Sequence, residues 1–414
     1  MSTPAPETFG RLWESLLPIG RVPGTGGYRR YSWTPADLDC RAWFVAAARD
    51  RQLRLDPDRN GNLWAWWDVS GSPAGQAGPA IATGSHLDSV PDGGAYDGPL
   101  GVVSAFAAID ELRAGGFVPS CPIAVAAFTE EEGARFGVAC LGSRLLTGAI
   151  DPGQARELRD GDGVTLAGAM QAAGQDPGHI GRDEDLIAQL GCYVELHIEQ
   201  GRGLADLGAA VGIAEGIWPH GRWRLDFAGR ADHAGTAALA DRRDPMIPYA
   251  ATVLAARQAA LEHGARATIG KVIAEPGAAN AVSSAVRAWL DVRAADGRTL
   301  EDTVDQILAV AGQESDANRV DMAARQESFS PEVEFDEPLA DRLAAALAAQ
   351  GIEAPSLPTG AGHDAGVLAA RLPTAMLFVR NPTGVSHSPA EHAEDADCAA
   401  GVTALAAVLR DLAG

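Results

Sequence analysis

Short apolar runs alternate with longer amphipathic stretches along the first part of the chain. Residues 63–68, 80–84 and 123–129 read as buried strands, and residues 99–113 read as a helix between two of them. An earlier helix is predicted from Thr34, Pro35, Ala36 and Asp37, with Thr34 as its cap and Pro35 in its first turn, running to about Arg51. Apolar strands alternating with helices imply an α/β sheet domain.

The middle of the chain changes character. In residues 193–199, Val194, Leu196 and Ile198 face one way and Glu195, His197 and Glu199 the other. Trp223, Leu225 and Phe227 alternate again, as do Val286, Ala288, Leu290 and Val292. A helix is predicted over 245–263, between those two strands, and a second over 300–313. This order predicts a small α+β domain, residues 213–328, inserted into an α/β domain made of 1–212 and 329–414. The α/β pattern then resumes with a helix near 339–350 stopped by Gly351, a strand at 374–379 and a last helix to Leu412. No internal repeat is visible, and the alanine-rich stretches read as helix.

Length supports the same division, because 414 residues with 46% apolar content exceed one ordinary core. A formal net charge of -22 repels polyphosphate, which argues against a nucleic-acid partner. A small anionic substrate would therefore need a local basic group. The five cysteines are odd in number and lack CxxC spacing, so they are expected as reduced thiols in a cytoplasm. Residues 1–12 lack a basic region followed by an apolar run, so no secretory signal is expected there. No apolar stretch is long enough to span a bilayer, and no membrane partner is expected.

Polar residues suited to metal binding sit where strands are predicted to end. Gly84, Ser85, His86, Leu87 and Asp88 form the first group, followed by Asp97 within a glycine-rich loop; Asp88 is spaced to orient His86. Thr129, Glu130, Glu131, Glu132 and Gly133 form the second, where adjacent acids are tolerable around a cation. His197 lies on the polar face of its strand, and His387 follows the strand at 374–379. Singly, each has an ordinary explanation: a glycine-rich turn, an acidic helix start, a solvent-facing sheet residue, a loop histidine. Together they are three histidines, an aspartate and a glutamate on strand ends of one α/β domain, where ligands gather. Imidazole and carboxylate without thiolate suit Zn, Mn, Co or Ni.

The ordered segments GSHLDSVPDGGAYDGPLGV, FTEEEGARF, ELHIEQG, HAGT, GHDA and GVSHSPAEH resemble the M20-type metal-dependent amidohydrolases. The branch they resemble holds the allantoate amidohydrolases, N-carbamoyl-L-amino-acid hydrolases and β-ureidopropionases. The resemblance covers essentially the whole chain. It implies a metallo-exopeptidase-like catalytic domain with an inserted dimerisation (lid) domain, a homodimer, and two divalent metal ions per subunit. By it, His86 and His197 hold one metal, Glu132 and His387 the other, Asp97 bridges both, and Glu131 is the general base. His233, Asn280 and Arg293 match substrate-binding positions, as do Gln200 and His363. Departures from the usual motifs fall at HAGTAAL, Arg202 and His392, outside the implied ligands.

The implied reaction is hydrolysis of a small ureido acid, allantoate or an N-carbamoyl-L-amino acid. A metal can lower the pKa of a bound water to about 7, Glu131 would shuttle its proton, His233 would stabilise the oxyanion, and Arg293 would grip the carboxylate. Ammonia leaves, and the remaining carbamate loses carbon dioxide. A metallo-aminoacylase or exopeptidase, and a non-catalytic metal-binding homologue, are the alternatives.

Overall fold

Among the described residues, fifteen strands fall in two groups. The first six are β1 (Arg54–Leu55), β2 (Leu63–Trp67), β3 (Ala80–His86), β4 (Ile123–Phe128), β5 (Leu190–Ile198) and β6 (Val211–Ile217). Then come β7 (His220–Ala228), β8 (Asp232–His233), β9 (Arg266–Glu275), β10 (Ala281–Val282), β11 (Ala285–Arg293) and β12 (Asp321–Ser330). The last three are β13 (Val333–Glu334), β14 (Ser356–Thr359) and β15 (Thr374–Val379). These come from a computed structural model that describes residues 5–69 and 77–414, the first three of them by backbone alone. The chain divides into a unit of residues up to Gly216 with Glu334–Gly414, and a unit of Ile217–Val333. The expected limits at 213 and 328 fall inside β6 and β12, and β12 stays paired with β7 as far as Ser330.

The first unit is a mixed α/β layer structure. Its sheet runs β1-β2-β4-β3-β5-β15-β6-β13, with β14 beside β6. The four central strands β4, β3, β5 and β15 are parallel, so their carboxyl ends share one edge. Parallel strands covered on both faces carry continuous apolar sequence, and every residue of β4 (IAVAAF) is buried. The helix Pro99–Ala114 packs on this sheet and is buried over most of its surface.

The helix Pro35–Asp50 starts where predicted, but its cap differs. Thr34 makes no side-chain cap and instead donates to the Tyr31 carbonyl at 2.6 Å. Asp37, in the first turn, reaches back to the Trp33 N–H at 2.8 Å and pairs with Arg41 at 2.8 Å, which fixes the chain entering the helix without capping it. The polar face of β5 is likewise not a solvent face. Glu195 and His197 are fully buried, because β5 lies in the middle of the sheet.

The second unit is a four-stranded antiparallel sheet, β12-β7-β11-β9, with the helices Met246–His263 and Gly297–Ala317. Trp223, Leu225 and Phe227 of β7 and Val286, Leu290 and Val292 of β11 share a core with those helices. The opposite face carries Arg222, Arg287, Trp289, Asp291 and Arg293. A two-stranded ribbon, β8 with β10, sets His233 opposite Ala281. Among the described residues, no helix is long and apolar enough to cross a membrane.

Candidate metal centre

The shared edge of the parallel strands gathers the predicted ligands. His86 ends β3, Glu131 and Glu132 follow β4, His197 is the penultimate residue of β5, and His387 lies in the loop after β15. Asp97 stands at their centre. Its Oδ1 is 3.1 Å from His197 Nε2 and 3.6 Å from His86 Nε2. Its Oδ2 is 3.3 Å from His387 Nε2, and that nitrogen is 3.5 Å from Glu132 Oε2. Two donor triads meet at Asp97, His86–Asp97–His197 and Asp97–Glu132–His387, and a third, Glu195–His197–His363, shares His197; in each the ligand atoms lie within 4.8 Å of one another. The first is buried, whereas the His387 side chain is 51% exposed.

Neighbouring groups fix these side chains. His86 Nδ1 lies 3.2 Å from the Asp88 carbonyl. The Asp88 carboxylate accepts from the Glu131 and Glu132 N–H groups at 3.2 and 3.1 Å. One residue thus orients a ligand imidazole and the acidic turn together. Glu130 turns away, in a left-handed conformation, and accepts from the Arg135 and Phe136 N–H groups at 2.8 and 2.7 Å. Gly98 has φ +83°, and a Cβ there would lie 2.4 Å from the His86 ring.

The donor chemistry fits divalent cations. His197 Nδ1 is 2.8 Å from the Ile198 carbonyl and so carries the ring proton, while Nε2 accepts from the Gly98 N–H at 3.2 Å and also faces an Asp97 oxygen at 3.1 Å. Two acceptors at that distance need a proton or a cation between them. Glu132 Oε1 is buried with no hydrogen-bond partner, as is His363 Nε2. Burial raises Glu132 to about 7 and holds Glu131 well above the usual carboxylate range. Burial opposes ionisation of Asp97 too, but contacts with His197, His387 and His86 hold it well below the usual range. The hydrogen bond to Asp97 lifts His387 to about 9.

Other expected residues fall as follows. Gln200 Nε2 donates to Asp97 Oδ2 at 2.8 Å. His363 is buried, with its ring centroid 4.5 Å from that of His197. His233, Asn280 and Arg293 belong to the second unit. The β8–β10 ribbon brings His233 and Asn280 together, since the Ala234 N–H donates to the Asn280 carbonyl at 3.0 Å. Arg293 Nε donates to Asp291 at 3.0 Å, the surface-acid pairing open to any strand arginine.

Sequence reasoning missed several residues. Glu391 accepts from the Tyr96 and Asp97 N–H groups, both at 2.9 Å, and from Ser386 Oγ at 3.2 Å, so it ties the Asp97 loop to the His387 loop. Its signal was an acid four residues past His387 in a quoted motif. Cys140 Sγ donates to Glu131 Oε1 at 3.2 Å, a contact with no sequence signal.

Residues 82–411 match the Peptidase family M20/M25/M40. The N-carbamoyl-L-amino acid amidohydrolase of Geobacillus stearothermophilus is 35% identical over 407 residues, 95% of this chain and 96% of that protein. The allantoate amidohydrolase of Bacillus subtilis (strain 168) is 34% identical over 398 residues, 94% of this chain and 93% of that protein. A crystal structure of a hydantoinase/carbamoylase family amidase from Burkholderia ambifaria superposes with a TM-score of 0.83 at 31% identity, covering 98% of each chain. Enzymes of this family are metal-dependent. The chain belongs to the peptidase family M20/M25/M40, within its amidohydrolase branch.

Proposed function

We propose that this enzyme hydrolyses the terminal carbamoyl C–N bond of a small ureido acid, with allantoate and N-carbamoyl-L-amino acids as the two candidate classes. The observation that carries the reading is the division of Asp97, whose two oxygens face separate histidine-containing triads. His86, Asp97 and His197 would hold one divalent ion, and Asp97, Glu132 and His387 a second. Such ions supply Lewis-acid polarisation and acidify a water; zinc, manganese, cobalt and nickel all suit these ligands.

Glu131 would take a proton from that water and return it to the leaving nitrogen, releasing ammonia and a carbamate that loses carbon dioxide. His233 Nδ1 accepts from the Gly235 and Thr236 N–H groups at 3.0 and 3.2 Å, so its proton resides on Nε2 and can be donated to a developing oxyanion. Arg293 and Asn280 would grip the substrate, together with Gln200, which donates to Asp97, and His363, which lies against His197. Arg293 shares with Arg222, Arg266 and Lys271 a cleft of about 610 Å³ suited to a carboxylate.

A homodimer is supported by the second unit's surface. Strand β9 is an edge, and the helix Met246–His263 leaves Leu254 and Leu261 69% and 68% exposed. All five cysteines are free, in keeping with a reducing cytoplasm.

The test is a substrate panel on metal-reconstituted enzyme, scored separately for ammonia and for amino-acid release. Ammonia from a ureido acid is expected. Amino-acid release from N-acyl or peptide substrates, with no ammonia from any ureido acid, would replace this reading with an aminoacylase or exopeptidase.

A further inference from the structure

Glu131 Oε1 and Oε2 have different surroundings. Oε2 faces the donor cluster, 3.7 Å from His86 Nε2. Oε1 points the other way, 3.2 Å from the Cys140 thiol, the hydrogen-bond donor recorded for this carboxylate among the described residues. Cys140 is buried and sits in a left-handed conformation (φ +54°) immediately before the helix Leu141–Thr147.

Backbone pairing places the thiol. The N–H groups of Cys140, Leu141 and Gly142 donate to the carbonyls of Glu131, Glu130 and Thr129 at 2.6, 3.0 and 2.9 Å. This three-rung ladder locks the start of the helix against the acidic turn. Gly142 permits the approach, since a Cβ there would lie 2.8 Å from the Thr129 carbonyl oxygen. Burial keeps the thiol protonated and therefore a donor.

We infer that Cys140 is a positioning residue for the general base: its thiol holds Glu131 Oε1 and leaves Oε2 turned to the cluster as the oxygen that takes the proton. This rests on the assignment of Glu131 as base. A thiol is a weak donor, so it orients the carboxylate while withdrawing less electron density than a hydroxyl or amide would. A near-attack geometry depends on such orientation.

Two measurements on the full chain test this. In the metal-loaded enzyme, on the ureido acid the panel identifies, Cys140→Ala should lower kcat about tenfold, the worth of one hydrogen bond. KM and bound metal should stay unchanged, and Cys140→Ser should recover most of the loss. In a Glu131→Gln background, Cys140→Ala should cost nothing further. Wild-type kcat in Cys140→Ala, equal losses in the Ala and Ser variants, or additive losses with Glu131→Gln would overturn the inference.

The second readout is the S–H stretching band in the infrared spectrum of the metal-free protein, assigned by its disappearance in Cys140→Ser. It should lie below the bands of the other cysteines and move up in Glu131→Gln. A Cys140 band unmoved by Glu131→Gln overturns the contact, even where Cys140→Ala fails to fold. Full turnover in Glu131→Gln removes the base assignment itself. Loss there, with wild-type kcat in Cys140→Ala, removes only the thiol's role.

Discussion

The residues of the cluster differ in how many ions each would serve. Asp97 touches both triads, whereas His387 touches one and is half exposed. We expect His387→Ala to retain about half the metal of the wild type by elemental analysis, the stoichiometry of one ion of two. Unchanged metal content removes His387 from the ligand set. Glu131 is no member of either triad. Glu131→Gln should therefore keep its metal and lose turnover by a factor on the order of 10²–10⁴, the span of a general base. Arg293 is the residue with the strongest rival account, its Nε being bonded to Asp291. If it grips a carboxylate, Arg293→Ala should cost roughly 1.5–3 kcal/mol in kcat/KM for acid substrates and much less for their amides. Equal losses for both would remove carboxylate binding from its role.

Among elements, the turn between β3 and the helix Pro99–Ala114 has little room beside a predicted ligand. Gly98 sits at φ +83° with the His86 ring where a Cβ would go. Gly98→Ala should destabilise the metal-free protein by at least about 1 kcal/mol in denaturant melts, and should lower metal content by displacing His86. A variant with wild-type stability and metal would show that the loop can yield. The central strands were legible in the sequence because burial on one or both faces leaves a continuous or alternating pattern, as in β4 and β11. Strands β9 and β12 were not, because as edges of their sheet they expose most positions; in RATIGKVIAE the inward Ala267, Ile269 and Ala274 are put out of step by a register shift, and DMAARQESFS offers little beyond Met322. The same holds at the site. His86, His197 and His387 announce themselves by residue type beside predicted strands. Glu391 acts through backbone N–H groups nearly three hundred positions away, a relation only the folded chain contains. The ordinary explanation for His197, a solvent-facing sheet residue, fails because alternation reveals two faces but not whether both are covered.

At the scale of the whole molecule, association and chain order come into view. If the apolar face of the helix Met246–His263 meets a second copy, Leu254→Glu or Leu261→Glu should raise the dimer dissociation constant at least about tenfold. Sedimentation would show this, and a wild-type chain that sediments as a monomer would end the dimer reading. The insertion of the second unit also has a consequence for synthesis. Strand β15 lies between β5 and β6, yet it is encoded after the whole inserted segment. A growing chain makes β5 and β6 with the strand between them still missing, and the inserted unit can fold in the interval because domains fold as they emerge. That interval lasts on the order of ten seconds at ordinary rates of translation. Throughout it His86, Asp97, Glu132 and His197 already exist, but the strand that seats His387 does not. A nascent chain halted before residue 374 thus has the ligands of the buried triad and lacks one of the exposed triad. On the proposed two-ion reading, loading of both ions would require that translation has passed the last strand, and chains that stopped short would be missing a donor of the exposed triad.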